Sequence, residues 1–240
     1  MRVKRRTLRR LCLSLAGVCV LASQANAQGT DVTAQVKVKF VGAASEHHSN
    51  EGVVFWLTPA DDAAAVPSPR STKNHFQLAQ RNKQFLPHVL VVPVGSIVDF
   101  PNMDPFFHNV FSLFNGKRFD LGLYESGSTR SVHFDRAGVS YIFCNIHPEM
   151  SAVVVAVPTT YYAVSSSTGA LVIRDVAPGA YVAHLWAMGE SGANAEILDH
   201  RLNVSGKTMD VGALAITESA IPAHKNKFGE DYDNKTSSSY

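Results

Sequence analysis

The sequence has 240 residues, of which 45% are hydrophobic, 9% aromatic and 18% charged. These fractions are typical of a folded protein with a substantial core, and they exclude a disordered or collagen-like chain. The formal net charge of +2 and the three cysteines describe the whole chain. Both values change once the N-terminal segment is considered separately.

The first 27 residues have the pattern of a secretory signal peptide. Residues 2–10 carry six basic side chains, residues 11–22 are apolar, and small residues precede a cleavage site after Ala27. The apolar run is too short for a membrane span, which needs about 20 residues. We therefore predict an exported protein with no membrane span in the mature chain.

Removal of this segment changes both the charge and the cysteine content. The mature chain retains 16 Lys and Arg against 20 Asp and Glu, a formal net charge of −4. This acidic balance argues against nucleic acid as a partner. Cys144 is then the only cysteine, which excludes an internal disulfide bond.

The pattern along the mature chain is that of β-strands. Apolar and polar residues alternate over 32–40, which predicts a half-buried strand. The stretch 60–74 carries prolines and small polar residues and is interpreted as a long loop. Further strands are predicted at 53–57, 76–80, 86–93, 96–100, 108–114, 119–123, 129–134, 138–144, 151–157, 160–165, 170–175, 180–186, 196–204 and 208–216. Many short strands with frequent turns predict an all-β sandwich or barrel, and residues 218–240 are predicted to be a disordered tail.

Candidate metal ligands cluster after one predicted strand. Cys144, His147 and Met150 lie within seven residues, and His108 lies at another strand–loop junction upstream. Two histidine nitrogens, one cysteine sulfur and a weak axial methionine sulfur form a blue-copper electron-transfer site. Cu(I) prefers sulfur ligands and Cu(II) prefers nitrogen ligands. A site with both kinds of ligand needs little rearrangement between the two oxidation states, so electrons are exchanged rapidly. The residues therefore predict one copper ion per chain.

Other interpretations of these residues remain open at this stage. A structural zinc site normally uses four Cys or His ligands, and a catalytic Cys–His pair needs an orienting third group. The four residues are also compatible with a core cysteine and methionine beside incidental histidines. A single-copper enzyme stays open as well, although we expect no enzymatic activity of the chain itself.

The two motifs resemble those of the cupredoxin family. The spacing of Cys144, His147 and Met150 is similar to an amicyanin-type ligand loop, and residues 75–157 resemble exported methylamine-utilisation and plastocyanin-like cupredoxins. The resemblance implies a Greek-key β-sandwich, equatorial ligands His108, Cys144 and His147, and Met150 as the axial ligand. It also implies that the side chain of Asn109 braces the cysteine loop. Glu149 departs from the pattern and is a rival for the axial position.

The resemblance further implies how the site meets its partners. In this family the C-terminal histidine ligand, here His147, reaches solvent through an apolar patch, for which Phe106, Phe107, Ile146 and Pro148 are candidates. The expected partners are redox proteins such as a cytochrome or a dehydrogenase, and the expected location is the periplasm. The alternative function is a copper module for storage, delivery or sensing.

Two further segments resemble a second β-module. The turn at 168–169 and the Pro-Gly pair at 178–179 lie between strands in a rhythm similar to transthyretin-like or carboxypeptidase-regulatory modules. We predict that residues 31–60 and 158–217 form this accessory module. The cupredoxin segment would then be an insertion into it. The accessory module carries no catalytic constellation, so we expect it to have a structural or docking role.

Overall fold

The computed structural model describes residues 29–41, 49–60, 74–113, 116–188, 196–219 and 225–232, and the signal-peptide prediction falls outside these ranges. The described residues form seventeen strands and no helix, which confirms the predicted all-β fold. No helix in the described part of the chain has the length and apolarity to cross a membrane.

The strands are β1 (Thr30–Val41), β2 (Val54–Pro59), β3 (His75–Gln77), β4 (Ala79–Arg81), β5 (Gln84–Leu86), β6 (Val89–Pro93), β7 (Ser96–Pro101), β8 (His108–Ser112), β9 (Phe119–Tyr124), β10 (Thr129–Phe134), β11 (Gly138–Cys144), β12 (Ser151–Val157), β13 (Tyr162–Val164), β14 (Ala170–Val176), β15 (Gly179–Trp186), β16 (Glu196–Val204) and β17 (Thr208–Ser219).

Strands β3–β12 form the sandwich that carries the candidate ligands. One sheet has the order β10-β7-β3, the other has the order β6-β12-β11-β8-β9, and β4 and β5 form a separate hairpin. Their inner faces enclose a core that includes Phe85, Phe100, Phe134, Ile142 and Cys144. Since β8 and β11 are neighbours, with Cys144 opposite Val110, the fold brings two candidate ligands that are distant in the sequence to one end of a sheet.

The remaining strands form a second sandwich, which we call the accessory sandwich. Its sheets have the orders β14-β1-β17 and β13-β2-β15-β16. Strand β1 pairs antiparallel with β14 and parallel with β17, and β2 pairs with β13 and β15. Strands from before and after β3–β12 in the sequence therefore share both sheets, and they enclose their own apolar core.

The two sandwiches pack against each other through a third apolar cluster. Phe143 on β11 and Val155 on β12 point away from the ligand-bearing core and meet Trp56 on β2 and Trp186 on β15. Side chains alternate between the two faces of a strand. The side chain of Cys144 therefore packs in the core of the β3–β12 sandwich, and that of its neighbour Phe143 packs in the layer between the two sandwiches. The result is a stack of four sheets with three apolar layers between them.

Part of the predicted disordered tail has a defined structure. Strand β17 runs to Ser219, two residues into the stretch predicted as disordered. Residues 225–232 contact the loop between β11 and β12 through hydrogen bonds from Lys227 and Tyr232. The disorder prediction is thus corrected at these residues, because their polar groups form hydrogen bonds with residues 144 and 145. We call the segment from Cys144 to Met150 the ligand loop, because it carries three of the candidate ligands.

Candidate metal centre

Three side chains converge at one end of the β3–β12 sandwich. His108 begins β8, Cys144 ends β11, and His147 lies in the loop that leads to β12. Sγ of Cys144 lies 3.6 Å from Nδ1 of His108 and 3.5 Å from Nδ1 of His147. One ligand atom from each of the three residues lies within 4.8 Å of the others, and all three residues are buried. The structure therefore brings together His108, Cys144 and His147, as the sequence spacing suggests.

Asp104 fixes the orientation of His108. Oδ2 of Asp104 lies 2.9 Å from Nε2 of His108, which leaves Nδ1 directed at the cysteine sulfur. The carboxylate also accepts hydrogen bonds from the backbone amides of Asn82 (2.6 Å) and Lys83 (3.0 Å). Burial alone would raise the pKa of Asp104, but these amides and His108 hold it below its ordinary value. A carboxylate that binds the outer nitrogen of a histidine ligand is a common support for metal sites.

Both candidate imidazoles favour their neutral form. Burial lowers the pKa of His108 and outweighs the opposing effect of Asp104. Burial also lowers the pKa of His147, and the adjacent His108 adds to that effect. Only a neutral imidazole has a free lone pair for a metal ion. The site therefore presents its histidines in a form that can bind metal without first losing protons.

The environment of Cys144 has opposing effects on its thiol. Burial raises the pKa of Cys144, while the backbone amides of Asn109, Ile146 and His147 oppose this by hydrogen bonding to the sulfur. A metal ligand must be the thiolate. The three amides favour the thiolate and so oppose part of the effect of burial.

Met150 closes the ligand loop. Its backbone amide donates to the carbonyl of His147 (3.1 Å), and its carbonyl accepts from the amide of Cys144 (3.3 Å). The side chain is fully buried in the same apolar core as Cys144. Glu149, the predicted rival for the axial position, is exposed. Its charge opposes part of the burial effect that lowers the pKa of both histidines, and it adds to the burial effect that raises the pKa of Cys144.

Asn109 contacts the loop after Cys144 through its backbone, and not through the side chain as the resemblance implied. Its carbonyl accepts a hydrogen bond of 3.0 Å from the amide of Asn145, the residue after Cys144. The side-chain amide of Asn109 instead donates to Oδ1 of Asp120 on β9 (2.7 Å). Asn109, the residue after His108, is thus hydrogen-bonded through its backbone to Asn145, the residue after Cys144. Its side chain has Asp120 as its partner.

Apolar side chains surround the outer edge of the site. The ring of Phe106 contacts both imidazoles, with centroid distances of 5.2 Å to His108 and 5.5 Å to His147. Phe107 is 51% exposed and Ile146 is 37% exposed, and Pro148 is also exposed. His147 is 8% exposed, whereas His108 has no exposed surface. Of the four predicted patch residues, three lie on the surface and Phe106 lies against the two candidate histidine ligands.

The kinds and number of candidate ligand atoms indicate which metal ion these residues fit. Two neutral imidazole nitrogens directed at one buried sulfur match the trigonal part of a blue-copper site. Structural zinc sites use four nitrogen or sulfur ligands in a tetrahedron, and the cluster among the described residues has three. The residues present therefore fit copper.

Sequence reasoning missed Asp104, Lys227 and Tyr232. The separation of four residues between Asp104 and His108 was visible, but only the turn formed by residues 104–107 brings the two side chains together. Lys227 and Tyr232 lie 82 and 88 residues after the residues that they contact, Asn145 and Cys144. No local pattern links such distant positions.

Comparison with protein-family models and with curated proteins finds no match. Among solved structures, the chain is similar to a copper-containing nitrite reductase from Thermus scotoductus SA-01 (24% identity, 34% of this chain, 22% of that chain, TM-score 0.33). It is also similar to a purple cupredoxin from Nitrosopumilus maritimus (26% identity, 34% and 99% of the two chains, TM-score 0.32). A reduced amicyanin variant is similar at 22% identity, over 35% and 83% of the two chains, with a TM-score of 0.33. The solved structures similar to part of this chain thus include cupredoxins.

Proposed function

We propose that this chain is an exported mononuclear type 1 copper protein that carries single electrons between redox partners. The observation that supports this most is the placement of His108 Nδ1 and His147 Nδ1 at 3.6 Å and 3.5 Å from the buried Sγ of Cys144. His108, Cys144 and His147 are the proposed equatorial ligands, and Met150 is the proposed axial ligand. A bound copper ion would supply a one-electron change between Cu(I) and Cu(II).

The protein groups around the cluster support electron transfer because they restrain the ligands. His108 and Cys144 belong to paired strands, and His147 lies in a loop whose ends are joined by backbone hydrogen bonds. Asp104 restrains one imidazole, and Phe106 packs on both. Restrained ligands keep similar positions in both oxidation states of the metal. The structural change that accompanies each electron transfer is therefore small.

The proposed contact surface for redox partners surrounds His147. Phe107 and Ile146 are exposed, and His147 is more exposed than His108. Exposed apolar residues that form a patch mark interaction sites. The predicted net charge of −4 for the mature chain favours a partner with a basic docking surface. In this proposal the chain is no enzyme by itself, and the partners carry out the chemistry.

The proposal includes the predicted location and organisation of the chain. The signal peptide with cleavage after Ala27 stays a prediction, and the proposed location is the periplasm. The strand pairing supports a cupredoxin domain over 75–157 that is inserted into an accessory module formed by 31–60 and 158–217. The accessory sandwich covers the outer face of the ligand-bearing sheet, which suits a structural role.

The experiment that tests this function separates electron transfer from transfer of the metal. The copper-loaded protein is cycled several times between its reduced and oxidised forms at an electrode, and copper is then measured in the protein and in a chelator present outside it. We expect reversible one-electron waves and retention of the metal through all cycles. Movement of copper to the chelator on each reduction would contradict the proposal and favour a copper storage or delivery function.

A further inference from the structure

We infer that residues 225–232 form a strap that holds the ligand loop, with Tyr232 and Lys227 as positioning residues for the metal site. The strap follows the accessory sandwich in the sequence, yet its contacts lie on the loop between β11 and β12. Its effect on copper rests on the proposed function, whereas its effect on the loop does not.

The most direct contact joins the strap to a ligand residue. The hydroxyl of Tyr232 donates a hydrogen bond of 2.9 Å to the backbone carbonyl of Cys144. This carbonyl belongs to the last residue of β11, where the chain leaves the sheet and enters the ligand loop. The contact therefore restrains the backbone that carries the cysteine sulfur.

A closed ring of hydrogen bonds forms the second attachment. The amide of Lys227 donates to Oδ1 of Asn145 (2.9 Å), and the amide of Asn145 donates to the carbonyl of Asn109 (3.0 Å). The side-chain amide of Asn109 donates to Oδ1 of Asp120 (2.7 Å). Nζ of Lys227 completes the ring at Oδ2 of Asp120 (2.8 Å). Lys227 thus contributes two of the four links.

The position of this ring explains why it bears on the metal site. Asn109 follows His108 and Asn145 follows Cys144 in the sequence, so the ring joins the backbones beside two proposed ligands. The ion pair of Lys227 with Asp120 is partly shielded, since the two side chains are 23% and 40% exposed. Hydrogen bonds that form a connected network reinforce one another, so the ring restrains the backbones beside the proposed ligands more strongly than separate contacts would.

The strap is itself shaped by a local turn. Oδ1 of Asn226 accepts hydrogen bonds from the amides of Phe228 (2.9 Å) and Glu230 (3.0 Å). The amide of Asn226 donates to the carbonyl of Glu230 (2.9 Å). These bonds place Lys227 and Tyr232 at the two ends of one compact segment, so both can reach the ligand loop together.

The hydrogen bond from Tyr232 also has an electrostatic consequence. The carbonyl of Cys144 carries partial negative charge close to the proposed metal position, and the hydroxyl dipole offsets part of it. Loss of the hydroxyl would favour the more positive oxidation state. The reduction potential of the bound copper should therefore be lower without Tyr232's hydroxyl group.

The test uses Tyr232→Phe and Lys227→Met in the chain that begins at residue 28, where Cys144 is the only cysteine. Tyr181→Phe is the matched control, because its hydroxyl donates to the Ala177 carbonyl (2.8 Å) in the accessory sandwich. Lys117→Met is the control for the ion pair, since Lys117 binds Asp135 at 3.0 Å within the β3–β12 sandwich.

The first measurement is made on the metal-free protein, so that it does not depend on copper binding. The rate at which a small thiol reagent modifies Cys144 reports opening of the ligand loop. We expect about a fivefold faster rate in each strap variant, as for the loss of one hydrogen bond, and no increase in the two controls. Equal rates in the strap variants and the controls would overturn the inference.

The second measurement is the reduction potential of the copper-loaded protein. We expect a lower potential in Tyr232→Phe and an unchanged potential in Tyr181→Phe, which distinguishes positioning at the metal from general stability. An unchanged potential in Tyr232→Phe would overturn the electrostatic role. A chain that binds no copper would overturn the proposed function, whereas the thiol measurement would still decide whether the strap holds the loop.

Discussion

The carboxylate of Asp104 lies 2.9 Å from Nε2 of His108, and both side chains are buried. This contact sets which nitrogen of the imidazole faces Cys144. Partners of this kind keep a histidine ligand in one orientation and raise its basicity, and their loss typically lowers metal affinity about 10- to 100-fold. Asp104 is therefore part of the proposed copper site, although it supplies no ligand atom to the cluster.

The Asp104→Asn variant tests this role. We expect Cu(II) affinity to fall about 10- to 100-fold and the reduction potential to rise, because the neutral amide gives less support to the more positive ion. Both quantities can be measured by competition with a chelator and by voltammetry. Asp99→Asn is the matched control, since Asp99 contacts His75 at 3.1 Å on the other sheet. Equal losses in the two variants would contradict a specific role for Asp104.

The Met150→Leu variant tests the proposed axial ligand. Leucine has nearly the same volume as methionine, so this change in a packed core should cost less than about 1.5 kcal/mol. Loss of the thioether should raise the reduction potential while copper remains bound, because the axial ligand tunes the potential of such sites. Met188→Leu, outside the ligand-bearing core, serves as the control. An unchanged potential in Met150→Leu would argue against axial ligation.

The metal-free protein should lose stability as the pH falls from 7 to 5. The pKa values of His108 and His147 lie below the ordinary value because burial disfavours their charged forms. The unfolded chain then binds more protons than the folded chain below pH about 6.5, so the free energy of unfolding decreases with falling pH. The decrease is at most about 1.4 kcal/mol per pH unit for each imidazole. Asp104, whose pKa is also lowered, contributes only at lower pH.

Chemical denaturation at several pH values checks this expectation. A chain with His108→Gln and His147→Gln together should show a smaller decrease over the same range. Some decrease should remain, because burial also lowers the pKa of His184. A pH dependence as steep as that of the unchanged chain would show that the two imidazoles are not its source.

The Trp186→Ala variant tests the contact between the two sandwiches. Trp186 is 2% exposed and packs in the apolar layer between them. Truncation of a buried tryptophan typically lowers the free energy of unfolding by about 3–5 kcal/mol. Val172→Ala, at a position that is 41% exposed on β14, should cost far less. Chemical denaturation followed by intrinsic fluorescence measures both, and equal effects would contradict a shared core.

Local patterns in the sequence predicted most of the strands. Alternation of apolar and polar residues identified β1, and the apolar run before Cys144 identified β11, because burial of one strand face requires that pattern. The predicted strand over 86–93 is instead two strands, β5 and β6, which join different sheets on either side of Pro87. Proline lacks an amide donor and interrupts a ladder.

The close grouping of three proposed ligands could also be predicted, because residue types with a shared metal preference lie near the ends of strands. The supports of the site could not. Asp104 depends on a turn that lies outside any regular element, and Tyr232 depends on how the chain returns after the accessory sandwich. Such contacts arise from the tertiary arrangement of the sheets, and local periodicity carries no information on them.

The visible and electron paramagnetic resonance spectra of the Cu(II)-loaded protein test the central claim most directly. With one copper bound per chain, we expect an intense thiolate-to-copper band and narrow hyperfine splitting, because Cys144 is the proposed sulfur ligand. The Cys144→Ser variant should lose both signals. Bound copper without the intense band in the unchanged chain, or the same band in Cys144→Ser, would contradict the assignment of a blue-copper site.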